Sequence, residues 1–148
     1  MSSNSDTHRI YLGSYGICRD PSGRLLLARM SGGIDYGKWT MPGGGIEWGE
    51  HPDKALLREL EEETGIVDIE TINVAEVYSH VYPKNEEHSL EPLHHIGIVY
   101  EVCVGSLDIH FEKNGFTDRC EWFTEDQARS LPLTPAGEFA MELVWPKD

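Results

Sequence analysis

The amino-acid sequence predicts a layered α/β domain, and three observations predict it. Strand-forming runs at residues 9–18, 25–30 and 94–104 do not alternate cleanly between apolar and polar side chains, the pattern of strands buried on both faces. Stretches with helical spacing and capping residues lie between and after them, so helices are available to cover those faces. The chain has 148 residues, 39% hydrophobic and 26% charged, which suffices for one core without a disulfide or metal staple.

Each element has a local reason. Residues 1–7 are polar and read as a flexible tail on a single domain spanning residues 1–148. Residues 9–18 read as a strand, Asp20-Pro21-Ser22-Gly23 as a turn, and residues 25–30 as the returning strand of a hairpin. A glycine-rich loop at 31–38 leads to a short extended piece at 39–41 and then to Pro42-Gly43-Gly44-Gly45. The next helix starts near Pro52, which suits a first helical turn, and Asp53, which favours the positive end of the helix dipole. Leu56, Leu57 and Leu60 give it an apolar side, and Gly65 supplies a left-handed cap. Residues 66–81 are β-rich, and residues 82–93, polar with two prolines, form a long loop of the kind that carries function. Strands follow at 94–104 and 119–123, then helices capped by Thr124 and Thr134.

Twelve Lys and Arg stand against 26 Asp and Glu, a formal charge of −14. Such a chain repels phosphate backbones, so nucleic acid is not an expected partner. No apolar run is long enough to span a membrane and no charged-then-apolar leader opens the chain, so the expected compartment is the cytoplasm. Three cysteines without a CxxC spacing read as reduced thiols, with Cys18 and Cys103 as core filler.

The segment from Gly43 to Ile66 reads GGGIEWGEHPDKALLRELEEETGI. Glu59, Glu62 and Glu63 at i, i+3, i+4 share one helix face and repel one another unless something offsets them. A solvated charged face is one reading. The other is a divalent-cation site, because Mg²⁺ takes carboxylates, waters and substrate phosphates as ligands. Arg58, four residues before Glu62, could orient a carboxylate, and the glycines let backbone approach a ligand closely.

This segment resembles the Nudix box, G-x5-E-x7-R-E-U-x-E-E-x-G-U with U a bulky aliphatic residue. Gly44, Glu50, Arg58, Glu59, Leu60, Glu62, Glu63, Gly65 and Ile66 match every defined position. The resemblance implies a Nudix-type α/β/α sandwich with a mixed sheet between helices. It also implies divalent-cation-dependent hydrolysis of a pyrophosphate bond in a nucleoside diphosphate linked to another moiety. Carried over by position, Glu59, Glu62 and Glu63 are metal ligands, Gly43 offers its carbonyl, and Glu50 and Arg58 support the ligands. Glu59, Glu62, Arg58 and Glu50 are thus the implied catalytic set, and Mg²⁺, with Mn²⁺ as a substitute, is the implied cofactor. Glu121-Trp122 resembles a later pair in the nucleoside-triphosphate branch, which implies a further metal ligand at Glu121; the alternative is an ordinary strand-edge acid. The proton acceptor stays open among Glu59, Glu62, Glu86, Glu87 and Glu91. The implied partner is a small-molecule nucleotide, and a homodimer is frequent in the family.

A nucleoside triphosphate or oxidised nucleotide is the first expected substrate, with ADP-ribose or a nucleotide sugar as alternatives. A non-catalytic nucleotide sensor and an isomerase are the competing classes, disfavoured by the intact box and by the lack of a cysteine near the glycines. Outside the box, Tyr82, Arg29 and Lys38 are candidate substrate contacts. His80, His88, His94 and His95 cluster around the long loop, and Tyr11, Tyr15, Trp39 and Trp48 could stack on a base or pack internally.

Overall fold

Which strands flank the first one decides the topology. The computed structural model describes residues 8–88, 90–109 and 117–147; the expected tail at 1–7 lies outside them. The elements in order are β1 (Arg9–Cys18), β2 (Leu25–Met30), β3 (Trp39–Thr40), β4 (Gly43–Gly45), α1 (Pro52–Thr64), β5 (Ile69–Tyr82), β6 (Leu93–Val104), β7 (Thr117–Phe123), α2 (Glu125–Arg129) and α3 (Pro135–Val144). Strand β1 pairs antiparallel with β4 and parallel with β6, and β5 closes the sheet antiparallel to β6, giving the mixed order β4-β1-β6-β5.

With both edges of β1 taken, none is left for β2. The turn at Asp20–Gly23 forms as expected, with the Gly23 N–H donating to the Asp20 carbonyl at 2.9 Å. The anticipated β1–β2 hairpin, however, shrinks to a single bridge between Arg19 and Leu25. Strand β2 instead centres a second, antiparallel sheet ordered β3-β2-β7.

Two cores sit on opposite sides of these sheets. Leu26 packs with Cys18, Leu56, Leu60, Tyr100 and Val102 on the α1 side. Leu25 and Leu27 pack with Trp39, Val99, Ala136, Ala140 and Met141 on the α2–α3 side. Consecutive leucines of one strand thus serve both cores, which is why β2 shows no polar alternation. Each fully buried leucine contributes about 1.5–3 kcal/mol.

Two apolar assignments change. Leu57 is 41% exposed, because at 100° per residue it falls at the margin of the stripe that Leu56 and Leu60 define. Cys103 is exposed, whereas Cys18 and Cys120 are buried. Cys103 is flanked by Val102 and Val104, which belong to the α1-side core, so its own side chain points to the opposite, uncovered face.

One register row lacks side chains. Gly13 of β1 lies opposite Gly45 on one flank and Gly97 on the other. A Cβ at Gly45 would stand 2.8 Å from the Tyr11 hydroxyl, one at Gly13 2.6 Å from the Tyr15 hydroxyl, and one at Gly97 2.9 Å from the Tyr15 ring. The row therefore lets Tyr11 and Tyr15 lie down along the sheet.

Candidate active site

Helix α1 is held at its start by two strands. Ser14 Oγ of β1 donates to the Pro52 carbonyl at 2.8 Å, and the Tyr100 hydroxyl of β6 donates to Asp53 Oδ1 at 2.6 Å. The residue capping the helix is His51, whose Nδ1 accepts the Asp53 N–H at 3.0 Å, a role that sequence reading did not give it. At the other end Gly65 takes φ 75° and donates its N–H to the Glu61 carbonyl.

Arg58 is the hub of the acidic face. Its Nε and Nη2 grip the two Glu50 oxygens at 2.9 Å each. Nη2 also donates to the Gly45 carbonyl at 2.9 Å, and Nη1 donates to Glu59 Oε1 at 2.8 Å and Glu62 Oε2 at 3.4 Å. One guanidinium therefore ties the glycine strand, Glu50 and two helix carboxylates together, using the forked donor geometry that lysine lacks. The hydrogen bonds from Arg58, with help from the Glu47 N–H, hold the Glu50 carboxyl down at about 2.

The glycines have separate steric reasons. Gly43 adopts φ 141°, where a Cβ would run into the Ser14 carbonyl, and its N–H donates to Glu63 Oε1 at 2.8 Å. A Cβ on Gly44 would sit 2.5 Å from Glu59 Oε2. Both positions thus admit the carboxylates against the backbone.

Glu59, Glu62 and Glu63 come together, with Gly43, Gly44 and Gly45, at one end of a cleft of about 560 Å³. Burial first, with the nearby Glu59 and Glu62 adding to it and the Gly43 N–H opposing it, holds the Glu63 carboxyl up at about 8. Burial also raises Glu59, against the pull of Arg58 and with Glu62 and Glu50 adding to the rise. The cluster carries more negative charge than Arg58 offsets. Oxygen-only donors with excess charge fit a hard divalent cation. Among the described residues no three His, Cys, Asp or Glu side chains stand close enough together to hold a metal ion by themselves. A cation held here would complete its shell with water and substrate oxygens.

The remaining candidates divide. Tyr82 lines the cleft and donates to Asp35 Oδ2 at 3.2 Å. Arg29 and Lys38 are not among the residues that line it. The Arg29 guanidinium is bound to Asp118 at 2.8 and 3.0 Å and lies over the Trp39 ring, and Lys38 pairs with Asp35 at 3.6 Å. Glu121 also stays apart from the carboxylates in the cleft. It lies opposite Leu27, on the α2–α3 side of its sheet, and pairs with Arg119. Of the loop acids, Glu91 lines the cleft and Glu86 and Glu87 do not.

The aromatic candidates sort by burial. Trp39 packs edge-on against Phe123 in the core, and Trp48 is fully exposed. Tyr11, Tyr15 and His95 line the cleft, with the Tyr15 hydroxyl and His95 Nε2 sharing a 2.6 Å hydrogen bond. Tyr11, Tyr15 and Tyr78 all meet the His95 ring edge-on. Burial, with His80 nearby, lowers His95 to about 4 and keeps it neutral. His94 instead bonds Ser79 at 2.8 Å on the other face. Asp35, Ile34 and Arg9 also line the cleft. Only tertiary structure brings them there, and no sequence signal marked them.

Among the described residues no helix is long and apolar enough to cross a membrane. Comparison with known proteins agrees with the geometry. The NUDIX domain model matches residues 12–143. An RNA pyrophosphohydrolase of Saccharophagus degradans is 48% identical over 62 residues, covering 40% of this chain and 35% of that protein. An 8-oxo-dGTP diphosphatase of Proteus vulgaris is 32% identical over 78 residues, 53% of this chain and 69% of that one. The chain thus spans about a third of the length of the first curated relatives it matches. The crystal structure of a MutT NUDIX hydrolase from Burkholderia pseudomallei superposes with a TM-score of 0.76 at 27% identity, covering 91% of this chain and 98% of that one. Its fold is this α/β arrangement of a mixed sheet flanked by helices, and with the domain model spanning nearly the whole chain, the protein belongs to the Nudix family.

Proposed function

We propose that this protein is a pyrophosphohydrolase that cleaves a nucleoside diphosphate linked to a further group, with a nucleoside triphosphate or oxidised nucleotide as first substrate. One observation carries the reading: three carboxylates, two of them oriented by Arg58, in a cleft whose remaining lining is mostly aromatic and apolar, with Arg9, Asp35 and Glu91 as its other charges. That layout separates a place for phosphates from a place for a nucleoside. The similarity to an 8-oxo-dGTP diphosphatase supports the triphosphate class. ADP-ribose and nucleotide sugars are the second choice.

Glu59, Glu62 and Glu63 would hold Mg²⁺ or Mn²⁺, with Gly43 beside them and with Glu50 acting through Arg58. When bound, the cation neutralises charge on the diphosphate and acidifies a water. The chain's own part is to orient. Arg58 fixes two carboxylates, the Gly43 N–H fixes a third, and the apolar wall excludes bulk water from the nucleoside. Water oxygen bonds to phosphorus as the bridging P–O bond breaks, and the bridging oxygen leaves with the electron pair. The water's proton passes to a carboxylate; of the five open candidates, Glu59, Glu62 and Glu91 line the cleft and Glu86 and Glu87 do not.

A phosphate-release screen with Mg²⁺ tests this against nucleoside triphosphates, 8-oxo-dGTP, ADP-ribose and nucleotide sugars, with coupling enzymes that liberate phosphate from each product. Activity on one class is expected, abolished by chelator and reduced at least about 100-fold in Glu62→Gln, with an unchanged melting temperature because the Glu62 side chain is 45% exposed. Full activity of Glu62→Gln, or nucleotide binding without turnover across the panel, would overturn it, the second outcome favouring a sensor.

A further inference from the structure

Hydrolysis accounts for one end of the cleft and leaves the other without a role. On β1, Arg9, Tyr11, Gly13 and Tyr15 are alternate residues and share a face. Gly13 and Tyr15 lie opposite Gly45 and Gly43, beside the carboxylates. Arg9 lies four residues earlier, about 13 Å along the strand at roughly 3.3 Å per residue, opposite Leu93 of β6. Among the described residues it is the only Lys or Arg that lines the cleft.

Other cations near the cleft are committed: Arg58 to the glutamates, Arg29 to Asp118 and Lys38 to Asp35. Arg9 forms no ion pair among the described residues, although Glu91 lines the same cleft. Five acids line that cleft with it (Asp35, Glu59, Glu62, Glu63 and Glu91) in a chain of net charge −14. A free guanidinium there is a local exception to the field, with donors that match phosphate oxygens two at a time. Tyr11, which lies between Arg9 and Gly13 on β1, lines the cleft together with Ile34 and Leu90, a lining suited to a base and sugar rather than to more phosphate.

We propose that Arg9 binds a second phosphate on the substrate, on the side of the nucleoside remote from the scissile diphosphate. It would thus select nucleotides phosphorylated at both ends of the sugar. The inference rests on the pyrophosphohydrolase reading. A plain nucleoside triphosphate collects all its charge at the carboxylate end and leaves Arg9 unused. A 3′-phosphate, as a free monoester or as the diester of a dinucleotide, gives the guanidinium its partner.

The experiment compares kcat/KM for guanosine 5′-triphosphate, its 3′-phosphorylated form and the 5′-triphosphorylated dinucleotide, in the wild type, Arg9→Ala and Arg9→Lys. Wild type is expected to favour one or both 3′-substituted substrates about tenfold, through KM. Arg9→Ala should erase that preference without changing the plain triphosphate, and Arg9→Lys should restore part of it. Preference for the monoester alone or the diester alone names the source of the second phosphate. No preference in the wild type, or an equal loss on all three in Arg9→Ala, overturns the inference and leaves the hydrolase reading intact. If nothing is hydrolysed, the hydrolase reading fails. Calorimetric binding of guanosine 3′,5′-bisphosphate against the 5′-monophosphate, without metal, then decides on Arg9: a wild-type preference lost in Arg9→Ala supports it, and equal affinities overturn it.

Discussion

At the carboxylate end of the cleft, one guanidinium reaches Glu50, Glu59, Glu62 and the Gly45 carbonyl, and a backbone N–H pins Glu63. At the far end, among the described residues, Arg9 has no ion pair, and the loop at 83–92 is tied by the bridge between Asn85 and Leu90 and by the His88 N–H, which donates to Asn85 Oδ1. The first end is over-determined, so its geometry is fixed before any ligand arrives. The second is loosely held, so a ligand must supply partners. On the proposed reading, chemistry that needs precise charge placement would take place at the first, and selection among substrates at the second.

Four experiments would break or sharpen that contrast. Arg58→Lys has the largest expected effect. It keeps the charge but loses the fork, so kcat should fall about 10–100-fold while the protein stays folded; retained kcat would show that the carboxylates need no arginine to orient them. Gly43→Ala forces a Cβ at φ 141° into the Ser14 carbonyl, and urea denaturation should find about 2–3 kcal/mol of lost stability. A smaller effect concerns His95. Its folded pKa is about 4 against 6.5 in free form, lowered by burial first. The unfolded chain therefore binds this proton more readily, and stability should decline as pH falls from about 6.5 to 4. Denaturation across that window should show a shallower slope in His95→Gln than in the wild type. Glu121→Ala comes last: kcat within about twofold and stability within about 0.5 kcal/mol are expected for a half-exposed pair with Arg119. A large loss of kcat would add Glu121 to the proposed cation ligands.

The same contrast explains what could be read from sequence. The carboxylate end is built from neighbours in the chain: Glu59, Glu62 and Glu63 meet by helical spacing, and Arg58 reaches back about two helical turns to Glu50. Helical periodicity and the spacing of the box therefore gave the cluster its membership. The far end is assembled across long separations. Arg9 meets Leu93, and Tyr82 meets Asp35, and neither pairing has a local pattern. Arg29 and Lys38 looked available because their partners, Asp118 and Asp35, become neighbours only in the fold. Glu121 had a plausible adjacent tryptophan, yet the strand it occupies turns it toward Leu27. The hairpin failed for a related reason: the turn was correct, but local sequence could not say that β4 and β6 would claim both edges of β1. Helix ends fared well where the caps were local, as with Thr124, Thr134 and Gly65.

The side-chain-free row Gly45–Gly13–Gly97 bears on how the molecule acquires its site. The rings that lie on it come from β1, yet the strands beneath come from distant parts of the chain, and the Tyr15–His95 bond joins residues 80 apart in sequence. No local fragment can rehearse that floor. Contacts of such long range form slowly and late, so a chain still emerging from the ribosome carries the Nudix box without a cleft to use it in. On the proposed function, nucleotide binding should appear only with the last cooperative step of folding, which would make ligand capture a reporter of complete assembly rather than of helix formation.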